Sequence, residues 1–143
     1  MQFETDFYAT SGRATVFVIE TEQVVRSALH YILRDRYRPI TFAAVADALA
    51  SAETPDAVLL GAAILQGEGD VLTELGEHFT SARILLVADR SADPLARAGL
   101  ARGAHGIISK PISFDTVCDA VGTALSAPIV PGEPSPLIRV AFG

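Results

Sequence analysis

The stretch Arg83-Ile84-Leu85-Leu86-Val87, then Asp93-Pro94, Gly103 and Gly106-Ile107-Ile108-Ser109, contains one complete strand–helix–strand unit. After Arg83, ILLV is a continuous apolar run without polar alternation, as expected for a strand buried on both faces. Asp93 suits the cap of the following helix, and Pro94 suits its first position. Gly103 is a natural left-handed stop for that helix. GIIS then starts the next strand.

The same unit recurs on the N-terminal side. Thr15–Ile19 (TVFVI) reads as a first strand. It is followed by a helix over roughly Glu22–Arg36, in which Val25, Leu29 and Ile32 form one stripe with Ala28 beside them. Thr21 is its expected cap. Pro39–Phe42 is a weaker strand, and its proline favours a sheet edge. Ala43–Ala52 reads as a helix of small residues, and Ala57–Leu60 as a third buried strand. A loop over 61–69 leads to a helix that Asp70 can cap and that ends near Phe79. On the C-terminal side, Ser113 can cap a last helix striped by Phe114, Val117, Val121 and Leu125.

Strand and helix thus alternate five times. With apolar strands and short loops, that pattern implies a parallel sheet covered by helices on both faces. Right-handed crossovers leave few topologies, and the flavodoxin-like order 2-1-3-4-5 is the expected one. Residues 14–126 are assigned to this domain, 1–13 to a lead-in and 127–143 to a tail. The tail holds four of the eight prolines and ends in the apolar Leu137, Ile138, Val140 and Phe142. It is expected to be extended and to pack on its own domain or on a second copy. No DNA-binding or catalytic domain is expected to follow.

Composition narrows the function. A net charge of −6 argues against nucleic acid and membrane surfaces as partners, since both are anionic. The single cysteine, Cys118, excludes an internal disulfide and a CxxC metal site. No apolar run is long enough to cross a bilayer, and Met1–Thr10 lacks the pattern of a signal peptide. A cytoplasmic location is expected. His30, His78 and His105 have no metal-ligand spacing. The chain has ten arginines and one lysine, Lys110. That singles out Lys110 as a residue whose role a planar guanidinium could not fill.

Ligands of open parallel sheets bind beyond the carboxyl ends of the strands. The residues there are Glu20, Thr21 and Glu22 after the first strand, and Gly61 after the third. Ala88 and Asp89 follow the fourth strand, and Ser109, Lys110 and Pro111 end the fifth.

Gly103-Ala104-His105-Gly106-Ile107-Ile108-Ser109-Lys110-Pro111 and Pro55-Asp56-Ala57-Val58-Leu59-Leu60, in this order and spacing, resemble the receiver domains of bacterial two-component response regulators. The resemblance covers roughly Thr15–Leu125. It implies a pair of acidic residues after the first strand that help hold magnesium, here Glu20 and Glu22 around Thr21. It also implies a phosphorylated aspartate at the end of the third strand, where this chain has Gly61. A hydroxyl residue is implied after the fourth strand, where Val87 and Ala88 stand, and a switch aromatic in the fifth, where Ile107 stands. The phosphate-contacting lysine is kept as Lys110, and the family's cis bond is expected before Pro111. Partner docking and dimerisation are implied on the fourth helix, fifth strand and fifth helix, with Leu95, Ala98, Ala101, Ile107 and Ala120 as candidate contacts.

Glycine carries no nucleophile, so aspartyl phosphorylation at position 61 is not expected. Metal binding is weakened with it: Glu20 and Glu22 also suit the first turn of a helix, and no cofactor is expected beyond weak magnesium binding. Lys110 is expected to pair with Glu20 or Glu22. Asp89 is read as the start of a loop. No nucleophile, base and oxyanion donor can be assembled from the strand ends, so no enzymatic activity is expected. The reading is a stand-alone, atypical receiver that binds a protein without being phosphorylated. A histidine kinase, another signalling protein and a second copy of the chain are the expected partners. The alternative is a degenerate receiver that still binds metal, phosphate or nucleotide at Glu20, Glu22 and Lys110.

Overall fold

The structure, a computed structural model, describes residues 12–67 and 69–126. The expectations for the lead-in before residue 12, for Glu68 and for the proline-rich tail lie outside these residues.

Five parallel strands form one sheet in the order β2-β1-β3-β4-β5. They are β1 (Thr15–Ile19), β2 (Arg38–Phe42), β3 (Ala57–Gly61), β4 (Arg83–Ala88) and β5 (Gly106–Ser109). The helices between and after them are α1 (Gln23–Leu33), α2 (Val45–Leu49), α3 (Val71–His78), α4 (Pro94–Ala101) and α5 (Phe114–Ser126). A 3-10 helix over Ala62–Gln66 follows β3. The flavodoxin-like fold and its strand order are those expected from the alternation of elements.

Both faces of the sheet are covered, which is why its central strands have no polar alternation. Phe17, Ile19, Val58, Leu60, Ile84 and Leu86 pack on one face against residues of α2, α3 and α4. Val16, Val18, Ala57, Leu59, Leu85 and Val87 pack on the other against α1 and α5. Successive side chains thus enter opposite cores, as strand geometry requires. Pro39 lies in β2, at the edge of the sheet, where the missing N–H is tolerated.

Element boundaries differ in places. The first helix is shorter than expected and starts at Gln23. Glu22, not Thr21, takes the cap position, and its side chain makes no capping hydrogen bond. The helix of small residues shrinks to Val45–Leu49, and Ala44 at its cap position offers no side-chain acceptor. Asp70 and Asp93 cap as expected. Asp70 accepts from the Thr73 N–H, and Asp93 accepts from the Leu95 and Ala96 N–H groups. Ser113 accepts from the Thr116 N–H at 3.2 Å. Gly103 has φ +119°, so it supplies the positive dihedral that ends α4.

Candidate functional site

The carboxyl ends of the strands open on a cleft of about 280 Å3. Glu20, Thr21, Glu22, Gly61, Val87, Ala88 and Lys110 all line it, so the structure brings together every pocket residue expected from the sequence except Pro111. Pro111 is exposed just beyond, and the Lys110–Pro111 bond is cis as expected. Asp89, Asp93, Leu95 and Gln66 also contribute to the wall.

Glu20 is the buried charged residue of the domain among those described, with 7% of its surface exposed. It follows Ile19, which is in register with Leu60, so it stands beside Gly61 on the neighbouring strand. Its backbone is fixed at both polar groups: its N–H donates to the Phe42 carbonyl at 3.1 Å, and its carbonyl accepts from Arg26 Nη1 at 2.7 Å. Its carboxylate Oε2 accepts from the Glu22 N–H at 3.0 Å. The same carboxylate lies over Gly61: a Cβ built there would come within 2.5 Å of Glu20 Oε1 and 3.0 Å of Glu20 Cδ.

Lys110 pairs with Glu22 as expected, and also with a second carboxylate that was not expected. Its ammonium lies 3.1 Å from Asp89 Oδ1 and 3.7 Å from Glu22 Oε1. The residue read as the start of a loop is therefore the nearer partner. Asp89 directly follows β4, whose last pairing is Ala88 with Ser109, and the Lys110 N–H donates to the Ala88 carbonyl at 2.9 Å. That ladder brings Asp89 and Lys110 side by side. Partial burial pulls the lysine pKa down, but the Asp89 hydrogen bond and the charges of Asp89, Glu22 and Glu20 outweigh it and raise it.

Val87 and Ala88 are both buried, and their side chains belong to opposite cores. Neither offers a hydroxyl to the cleft. Among the described residues, no three or more His, Cys, Asp or Glu side chains cluster to hold a metal ion.

The candidate docking residues lie on α4, β5 and α5. Ile107 and Ala120 share the wall of a groove of about 300 Å3 between β5 and α5. Ala98 and Ala101 are exposed on α4. Leu95 is half-buried and lines the strand-end cleft instead. His30 and His78 are exposed, and Cys118 is buried, with its thiol pKa pushed up mainly by that burial.

His105 is a structural residue that its position in the sequence does not disclose. Its ring Nδ1 accepts from the Ile84 N–H at 2.9 Å, while its backbone N–H donates to the Ile84 carbonyl at 2.7 Å. The residue thus serves the backbone of β4 just before β5 begins to pair with it. Burial, with the nearby Arg83 charge, lowers the imidazole pKa, and the Ile84 hydrogen bond only partly opposes this.

Residues 16–122 match the family model of the response regulator receiver domain. The chain belongs to that family. It is a receiver domain of the two-component signalling type, and solved receiver structures share its fold. The BeF3-activated receiver domain of DrrB is 19% identical, with a TM-score of 0.69 over 79% of this chain and 97% of that one. A response regulator from Thermotoga maritima is 19% identical, with a TM-score of 0.68 over 80% and 99%. A chemotaxis protein from Vibrio cholerae is 19% identical, with a TM-score of 0.67 over 78% and 98%. No curated protein sequence matches the chain significantly. No helix among the described residues is long and apolar enough to cross a membrane.

Proposed function

We propose that this receiver domain signals by binding a protein partner without being phosphorylated at the end of its third strand. The observation that carries the reading is the Glu20 carboxylate lying over Gly61. The place where a phosphoacceptor would project holds a neighbour's side chain, and Gly61 itself has no nucleophile. Val87 and Ala88 add no hydroxyl that could bond a phosphoryl oxygen, and both are buried in the cores.

Magnesium has no well-formed place in this reading. Magnesium asks for near-octahedral oxygen ligands. Here one oxygen of Glu20 accepts from the Glu22 N–H and the other points at Gly61, while Glu22 and Asp89 both face the Lys110 ammonium. With its cation engaged by carboxylates, the cleft is also poorly suited to phosphate or a nucleotide. The partner is a signalling protein such as a histidine kinase, or a second copy of the chain. Exposed Ala98 and Ala101 and the groove at Ile107 and Ala120 are the surfaces assigned to it.

Backbone amide NMR spectra recorded with magnesium and beryllofluoride, a phosphoryl mimic, test the reading. The expected result is no saturable shift at Gly61, Asp89 or Lys110. A stoichiometric set of shifts centred on these residues would overturn it.

A further inference from the structure

Resting on that reading, we infer that Glu20 is the built-in occupant of the strand-end pocket, and that it is the reason position 61 is glycine. The backbone does not demand glycine there. Gly61 has φ −59° and ψ 126°, a conformation open to any L-residue. The demand comes from the neighbouring strand. A Cβ at position 61 would lie 2.5, 3.0 and 3.3 Å from Oε1, Cδ and Oε2 of Glu20. All three atoms of the carboxylate therefore crowd one point.

A carboxylate at the end of a long side chain could in principle swing away. Three features oppose that here. Glu20 is buried. The backbone of Glu20 is held by Phe42 and Arg26. Its Oε2 accepts from the Glu22 N–H, so movement breaks a charge-assisted hydrogen bond. Lys110 is also nearby, yet its ion pairs run to Asp89 and Glu22 and leave Glu20 seated over Gly61. The space beside Gly61 is thus filled from within the cleft, by the volume of the Glu20 side chain.

The test is a thermal-unfolding cycle in which Gly61→Ala is placed on four backgrounds: native Glu20, Glu20→Gln, Glu20→Ala and Glu20→Ser. Glutamine keeps the occupant's volume and removes its charge. Alanine and serine empty the space, and serine retains a hydrogen-bond acceptor in case alanine does not fold. On native Glu20 and on the Glu20→Gln background, Gly61→Ala should lower Tm by about 3–6 °C, the range expected when a domain of this size loses roughly one favourable contact. On the Glu20→Ala and Glu20→Ser backgrounds the drop should shrink to about 1 °C or less. An equal drop on all four backgrounds, or none on native Glu20, would overturn the inference. So would a drop that vanishes on the Glu20→Gln background, because charge and not volume would then be responsible. The two ideas fail separately: phosphorylation of the native chain would sink the proposed function and leave this coupling standing, whereas additivity would sink only the coupling.

Discussion

Lys110 is closer to Asp89 than to Glu22, at 3.1 against 3.7 Å. The lysine is therefore held more closely by the residue that follows β4 than by the acidic residues after β1. The side chain of Lys110 is 30% exposed, while Asp89 and Glu22 are 83% and 66% exposed. Water screens these pairs, so their worth is modest. Lys110→Met should cost about 1 kcal/mol at neutral pH, at the upper end for exposed pairs. Chemical denaturation of single variants checks this: Asp89→Asn should reproduce most of that loss, and Glu22→Gln less.

The raised Lys110 pKa also fixes a sign for pH. A lysine bound more tightly to its proton when folded contributes stability below its unfolded pKa of about 10.4, and that contribution is lost as pH rises through the folded value. Unfolding midpoints followed across the alkaline range should fall more steeply in the native chain than in Lys110→Met. Parallel curves would show that the ion pairs contribute nothing.

His105 sets the opposite limb. Its pKa is lowered in the folded chain, so the neutral ring is preferred there. Its stabilisation is complete above the unfolded value of about 6.5 and is lost as pH falls toward and through the folded one. Protonation of Nδ1 would also remove the acceptor for the Ile84 N–H. His105→Leu should cost about 1 kcal/mol near pH 8, through that lost hydrogen bond. It should also flatten the decline of Tm as pH falls below about 6.5. An unchanged acid limb would assign the decline to other groups.

Gly99 records how closely α4 approaches the sheet. A Cβ there would meet Leu86 Cδ1 at 2.5 Å and Leu65 Cδ1 at 3.1 Å. Gly99→Ala raises helix propensity but overpacks this contact, and the second effect should dominate with a loss of about 1–3 kcal/mol by urea titration. Gly76 of α3 has nothing within 4 Å of such a Cβ. Gly76→Ala should instead stabilise by roughly 0.5–1 kcal/mol. Equal responses at the two sites would contradict the packing described.

The fold was legible because each strand carries its own signature. Val16–Ile19 (VFVI) and Ile84–Val87 (ILLV) are apolar throughout, and Asp93-Pro94 and Gly103 mark the start and stop of α4 in the sequence itself. The candidate cleft was legible as a set of strand-end positions, since topology alone gathers Glu20, Gly61, Val87 and Lys110. Its pairings were legible only in part: Lys110 meets Glu22 as expected, but its nearer partner is Asp89. Which carboxylate lies nearer depends on side-chain reach across neighbouring strand ends, and no local pattern encodes that. The contact between Glu20 and Gly61 belongs to two strands far apart in the chain. A glycine at a strand end reads as a missing residue until the neighbour that fills its space is seen. His105 reads as an ordinary boundary residue because its bond to Ile84 likewise forms only when β4 and β5 lie together.

The most direct measurement of the central claim is the intact mass of the native chain after incubation with acetyl phosphate and magnesium, with a phosphorylatable receiver domain as the positive control. The account predicts an unchanged mass under conditions that label the control, because Gly61 presents no carboxylate and Glu20 fills the space beside it. A stoichiometric, acid-stable and base-labile adduct of one phosphoryl group would contradict it.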